Sequence, residues 1–190
     1  SLPPNLRGIL WLLLGTFAFA VNDLFVKSLG REISPFQLAF FRYGIGFLIM
    51  VPFFIRMGAS NLKTSRPGIH FVRLILACIA QVGVYTSVVY LPLADATALA
   101  FSRVLFTAVI AVIVLREIVS GRRWTATVAG FVGVVIMVRP GGQIDPIVFV
   151  AIGAACTFAV ANVMIRMMSE TEPPNRILFY YQAGGIIVFL

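Results

Sequence analysis

Apolar residues run along this chain in blocks of about 20, the length at which an α-helix crosses the roughly 30 Å hydrocarbon core of a bilayer. Polar, proline or glycine punctuation separates the blocks. They extend approximately from Gly8 to Leu29, Phe36 to Met57, Ile69 to Tyr90, Ala94 to Leu115, Trp124 to Val138 and Ile147 to Ile165, and another opens at Ile177. The fifth is short, but Arg122, Arg123 and Arg139 flank it and can snorkel outward to extend its reach. Inside lipid every backbone polar group has to be satisfied within the segment, so such blocks are helices. The expected class is an all-α polytopic membrane protein with about six complete transmembrane helices and part of a seventh.

Composition and charge agree with this pattern. Of 190 residues, 60% are hydrophobic and 12% charged, against about a quarter charged in an ordinary soluble domain. The mean hydropathy of +0.99 excludes a disordered chain as well as a soluble one. A net charge of +8 would suit nucleic acid only if the basic residues formed a solvated face. Most sit in short gaps between apolar blocks, so the expected partner is the lipid bilayer and no nucleic acid. Arg7, Arg56, Lys63, Arg66, Arg73, Arg116, Arg122, Arg123, Arg166 and Arg176 fall on one side of the membrane. Lys27, Arg31 and Arg139 fall on the other, which predicts a cytoplasmic N-terminus. Cys78 and Cys156 lie in apolar blocks without metal-ligand spacing, so they read as small hydrophobes, and no metal or cofactor is expected.

Shifting the chain by 139 residues lays Phe19-Ala20-Val21-Asn22-Asp23 on Phe158-Ala159-Val160-Ala161-Asn162, then Pro35 on Pro174, Phe40 on Phe179 and Gly46 on Gly185. A first unit over 8–140 would hold five spans, an odd number, so a second unit starting at 147 enters the membrane upside down. The expected architecture is two inverted five-helix repeats, the second truncated. The chain opens at Ser1 and stops inside an apolar block at Leu190, which reads as a fragment of a parent of about 280 residues and ten spans.

Particular segments carry a family resemblance. They are Val26-Lys27-Ser28 closing the first span, Pro35 to Arg42 opening the second, and the aromatic-proline turn Tyr90-Leu91-Pro92-Leu93-Ala94-Asp95. Leu115-Arg116-Glu117 follows the fourth span, and Gly130-Phe131-Val132-Gly133 spaces the fifth. With these the chain resembles the EamA-type transporters of the drug/metabolite transporter superfamily. The resemblance implies a ten-helix inner-membrane carrier of a small solute, working by alternating access between the repeats. Val104 stands where the family commonly has a proline, so no kink is carried over there.

Polar residues inside the spans are the candidate binding groups, because an ionisable side chain in lipid is costly unless it faces a cavity or a partner. Asp23 and Arg42 each lie about 9 Å below the same surface and can pair, with Lys27 a competing partner for Asp23. Gln81 and Arg103 approach the midplane; Tyr85 shares a helix face with Gln81, and Asn22, Tyr43 and Ser102 are at compatible depths. In the second unit Asn162 takes the place of Asp23 and Gln182 that of Tyr43. Such a cluster suits a flat or amphipathic organic solute bearing a carboxylate or phosphate. The alternative for each residue is a structural interhelical contact. Proton or exchange coupling through Asp23 is the other role considered, although an arginine beside it opposes proton binding. His70, at the start of the third span, reads as an ordinary interfacial residue.

Two other functions compete with transport. An intramembrane enzyme would need a nucleophile and base, and HExxH, GxSxG, Walker and GxGxxG patterns are all missing. A non-transporting assembly subunit would use the buried charges only for association. A homodimer is the expectation if the remaining spans are absent from the natural chain.

Overall fold

The computed structural model describes residues 4–58, 62–116, 120–138 and 145–190. Seven helices account for nearly all of them: α1 Pro4–Leu29, α2 Pro35–Met57, α3 Pro67–Tyr90, α4 Leu93–Leu115, α5 Gly121–Val138, α6 Pro146–Ser169 and α7 Pro174–Phe189. Five are long and apolar enough to cross a membrane; the apolar part of α5, Trp124–Val138, is shorter. Glu117 and Arg139 lie outside the described residues.

Local chemistry sets the helix starts. Pro35, Pro67, Pro146 and Pro174 stand in the first turn of their helices, where the missing N–H leaves nothing unsatisfied. Pro35 and Pro174, related by the 139-residue shift, open α2 and α7 alike. Ser34 and Gln37 form a reciprocal capping box on α2, and the Asp145 carboxylate accepts from the Ile147 N–H on α6 at 2.9 Å.

Between helices in lipid there is no water to expel, so close approach at small residues does the packing. Helix α6 is held by both α3 and α4 and buries Ala151, Ala154, Ala155, Ala159 and Ala161. A Cβ on Gly83 of α3 would stand only 2.7 Å from the Ala154 Cβ, which shows how tightly the two backbones cross. Helices α2 and α7 run antiparallel along a shared aromatic seam, from Phe36 against Phe189 at one end to Phe54 against Phe179 at the other. Helix α5 meets α4 through the edge-to-face pair Phe106–Phe131.

Helix α1 stands apart over most of its length, with Trp11, Leu12 and Phe17 exposed. Its C-terminal end is anchored. Val26 is buried, and the Lys27 ammonium donates to the carbonyls of Val89 at 2.9 Å and Leu91 at 2.6 Å. Lys27 therefore closes the C-terminal end of α3 and is not a partner of Asp23, because a helix end offers unsatisfied carbonyls to a cation.

Candidate functional site

A cavity of about 270 Å³ opens among α1, α2, α3, α4 and α6. Six of the nine sequence candidates line it: Asn22, Asp23, Arg42, Gln81, Tyr85 and Arg103. All six belong to the half of the bundle nearer the α1–α2 and α3–α4 turns. The other three stand off it. Tyr43 is fully buried behind the cavity, in edge contact with Tyr181 at 5.0 Å and stacked on Phe189 at 5.6 Å. Gln182 packs against Gly46, and Asn162 is half-buried on α6.

The anticipated Asp23–Arg42 pair does not form. Arg42 Nη1 donates instead to Gln81 Oε1 at 2.7 Å and to the Tyr181 hydroxyl at 3.4 Å. Asp23 receives the Asn22 amide at 3.3 Å, and among the described residues it makes no ion pair. Tyr85 Oη, 3.5 Å from Asn22 Oδ1, extends this chain of contacts to α3. Gln81 on α3 thus outcompetes the carboxylate for the guanidinium. Neutral acceptors leave the positive charge of Arg42 in the cavity together with Asp23, with no ion pair between the two. Arg103 is exposed, with its guanidinium 5.9 Å from the Phe158 ring centre.

Sequence reasoning missed the aromatic part of the wall: Phe19, Phe101 and Phe158 all line the cavity. A signal was present, since Phe19 and Phe158 coincide under the 139-residue shift. The same shift relates Arg42 to Tyr181, Tyr43 to Gln182 and Gly46 to Gly185. Across the α2–α7 seam these residues meet reciprocally: Arg42 bonds Tyr181, Tyr43 covers Gly185, and Gln182 covers Gly46.

At the opposite end of the bundle a side-chain cluster ties the α2–α3 and α6–α7 connections together. Glu172, in the α6–α7 turn, is buried beside His70, whose Nε2 lies 3.1 Å from Glu172 Oε2. Thr64 donates to the other carboxylate oxygen, and Arg176 Nη1 approaches at 3.5 Å. Burial pushes the Glu172 carboxyl up, but hydrogen bonds from Thr64 and His70 and the charges facing it outweigh burial and hold it below the usual carboxylate range. An ionised carboxylate can only accept, so His70 Nε2 carries a proton. The Tyr180 ring packs on His70 with centres 4.5 Å apart. His70 is therefore a buried link between the α2–α3 and α6–α7 connections, not an ordinary interfacial residue, because Glu172, 102 residues away, folds onto it. Arg73, counted by sequence among the flanking cations, is also buried, with its guanidinium 4.9 Å from the Tyr181 ring centre.

Comparison with known proteins adds the lineage. The chain is 33% identical over 181 residues to an S-adenosylmethionine uptake transporter of Rickettsia prowazekii, covering 95% of this chain and 62% of the relative. A Rickettsia conorii protein of the same name is 33% identical over all of this chain and 65% of its own length. A riboflavin transporter of Vibrio cholerae is 27% identical, over 92% of this chain and 60% of the relative. The chain thus spans less than two thirds of the length of these curated relatives. No solved structure matches it. The model of the EamA-like transporter family matches residues 6–139, which include most of the seven-helix bundle and all six sequence candidates that line its cavity. On that match, and on relatives aligned along nearly its whole length, the chain belongs to the EamA-like transporter family.

Proposed function

We propose that the protein is a secondary-active carrier that moves a flat zwitterionic metabolite across the cell inner membrane, with S-adenosylmethionine as its solute. One observation carries this reading: a single cavity holds a carboxylate, Asp23, and two guanidinium groups, Arg42 and Arg103, among the rings of Phe19, Phe101 and Phe158. Arginine matches a solute carboxylate in a forked geometry, Asp23 matches an ammonium or sulfonium, and aromatic rings take a flat heterocycle. S-adenosylmethionine carries all three groups. Riboflavin has neither charge and would leave Asp23 and Arg42 unmatched. The names of the Rickettsia relatives support the same choice.

Alternating access rests on two repeats, 8–140 and 147–190, in opposite orientation. Support comes from the α2–α7 seam, where two copies of one segment face each other antiparallel through residues related by the 139-residue shift. With the side richer in Lys and Arg placed in the cytoplasm, together with the N-terminus, the cavity belongs to the outer half. The Glu172 cluster then closes the inner end, and the halves rock about the seam between them. Tyr43 and Gln182 sit in that seam and enter the path as it opens. Asp23 supplies the coupling, since a proton and the solute cation compete for its one carboxylate.

Flux into liposomes tests the reading. The reconstituted full protein takes up radiolabelled S-adenosylmethionine, and Asp23→Asn and Arg42→Gln each lower the initial rate about tenfold or more with the unfolding temperature kept. Absence of wild-type uptake, a preference for riboflavin, or full rates in both variants overturns it. A subunit that serves only assembly would give the first of these results.

A further inference from the structure

Helix α3 carries a buried stripe at i, i+4 spacing, Arg73, Ala77, Gln81 and Tyr85. Its upper part, Gln81 and Tyr85, lines the cavity; its lower part does not. Between the two lie the Tyr43 and Tyr181 rings, in edge contact at 5.0 Å. Each face of this tyrosine pair bears a guanidinium. Arg42 is 5.6 Å from the Tyr43 ring centre and bonds the Tyr181 hydroxyl from the cavity side, while Arg73 is 4.9 Å from the Tyr181 ring centre. Arg73 lies about 12 Å along α3 from Gln81, the partner of Arg42.

Snorkelling does not account for Arg73. It stands only about 9 Å from the start of α3, within reach of headgroups, yet it is 6% exposed and turned onto a ring. Its Nε has no hydrogen-bond partner among the described residues, and the Tyr43 residue, 0% exposed, has only Tyr181 and Cys78 near its hydroxyl. A buried guanidinium with an unused Nε donor and a buried hydroxyl thus stand at one tyrosine pair, the donor types that a carboxylate accepts from. The Tyr181 ring offsets part of the desolvation of Arg73 and leaves its Nε donor unused.

Resting on the carrier reading above, we propose that Arg73 with the Tyr43 hydroxyl is a second anion station on the translocation path. The carboxylate of the solute engages Arg42 while the tyrosine pair closes the cavity floor. When the α2–α7 seam opens, it transfers to Arg73, about two helical turns nearer the other surface. Arg42 selects the solute on entry, and Arg73 selects it during passage.

The test compares the initial flux of S-adenosylmethionine with that of its decarboxylated analogue in liposomes holding the full protein as wild type, Arg73→Gln or Arg73→Lys. A ratio of two fluxes in one preparation does not depend on how much protein has folded. In Arg73→Gln, flux of S-adenosylmethionine falls about tenfold with KM changed less than about twofold, and flux of the decarboxylated analogue is unchanged. Arg73→Lys keeps the charge and recovers part of the selectivity. An equal loss for both solutes, or a KM effect alone, overturns the second station and leaves the carrier reading standing. Wild-type liposomes that take up neither solute overturn the carrier reading, and the station with it.

Discussion

The Glu172 cluster offers the clearest test of how the α2–α3 and α6–α7 connections are held together. Glu172→Ala deletes a buried carboxylate that receives Thr64, His70 Nε2 at 3.1 Å and Arg176 Nη1 at 3.5 Å. His70 stays behind in an equally buried place, its Nδ1 already without a partner among the described residues. Two hydrogen bonds to a charged carboxylate, from Thr64 and His70, contribute about 1.5–3 kcal/mol each. Arg176, with 18% of its side chain exposed, adds only a surface-like ~0.5 kcal/mol. For a chain of this size 1 kcal/mol moves Tm by about 2–4 °C, so the loss is about 10 °C. Cys78 is buried, so a thiol-reactive dye reports the unfolding directly in detergent. The Glu172 carboxyl is held below its ordinary range, so its contribution is complete above that range and disappears as pH falls through the lowered value. The difference in Tm between wild type and Glu172→Ala therefore does not shrink from pH 7 to about pH 5, and declines only in stronger acid. A difference under about 2 °C at pH 7 would refute the reasoning, as would one that collapses between pH 7 and 5.

Two further substitutions probe the packing. A Cβ on Gly185 would stand 2.2 Å from Tyr43 Cδ1, in a ring fixed between Tyr181 and Phe189, whereas at Gly46 it would meet the movable amide end of Gln182 at 2.5 Å. Gly185→Ala therefore costs about 1–3 kcal/mol and Gly46→Ala under about 1 kcal/mol, and thermal unfolding in the reverse order contradicts this account of the seam. Lys27→Met removes two charge-assisted bonds to the end of α3, a loss of about 2 kcal/mol. Hydrogen exchange should quicken at the amides of the α3–α4 turn, and unchanged protection there would show that Lys27 does not hold it.

Helix number, approximate ends and membrane class were legible from composition and block length, because lipid imposes one length and one backbone solution on a spanning segment. Depth could also be counted, since rise per residue is constant. That is why Asn22, Asp23, Arg42, Gln81, Tyr85 and Arg103, chosen for depth and polarity, line one cavity. Counting depth gives no azimuth and no neighbour, and there the sequence reading went astray. It paired Asp23 with Arg42, where α3 brings Gln81 to the guanidinium; it left Lys27 beside Asp23, where two carbonyls of α3 receive it.

Partners drawn from distant positions lay beyond any spacing rule. Glu172 meets Thr64 and His70 across more than 100 residues, and Arg73 meets Tyr181 on another helix. The 139-residue shift was the one long-range signal in the linear chain, because residues that it relates meet across the α2–α7 seam. Fold class thus follows from local rules that each segment obeys alone. The choice of partner for each buried charge depends on which helix comes near enough to displace the others, and that is settled only when the bundle has closed.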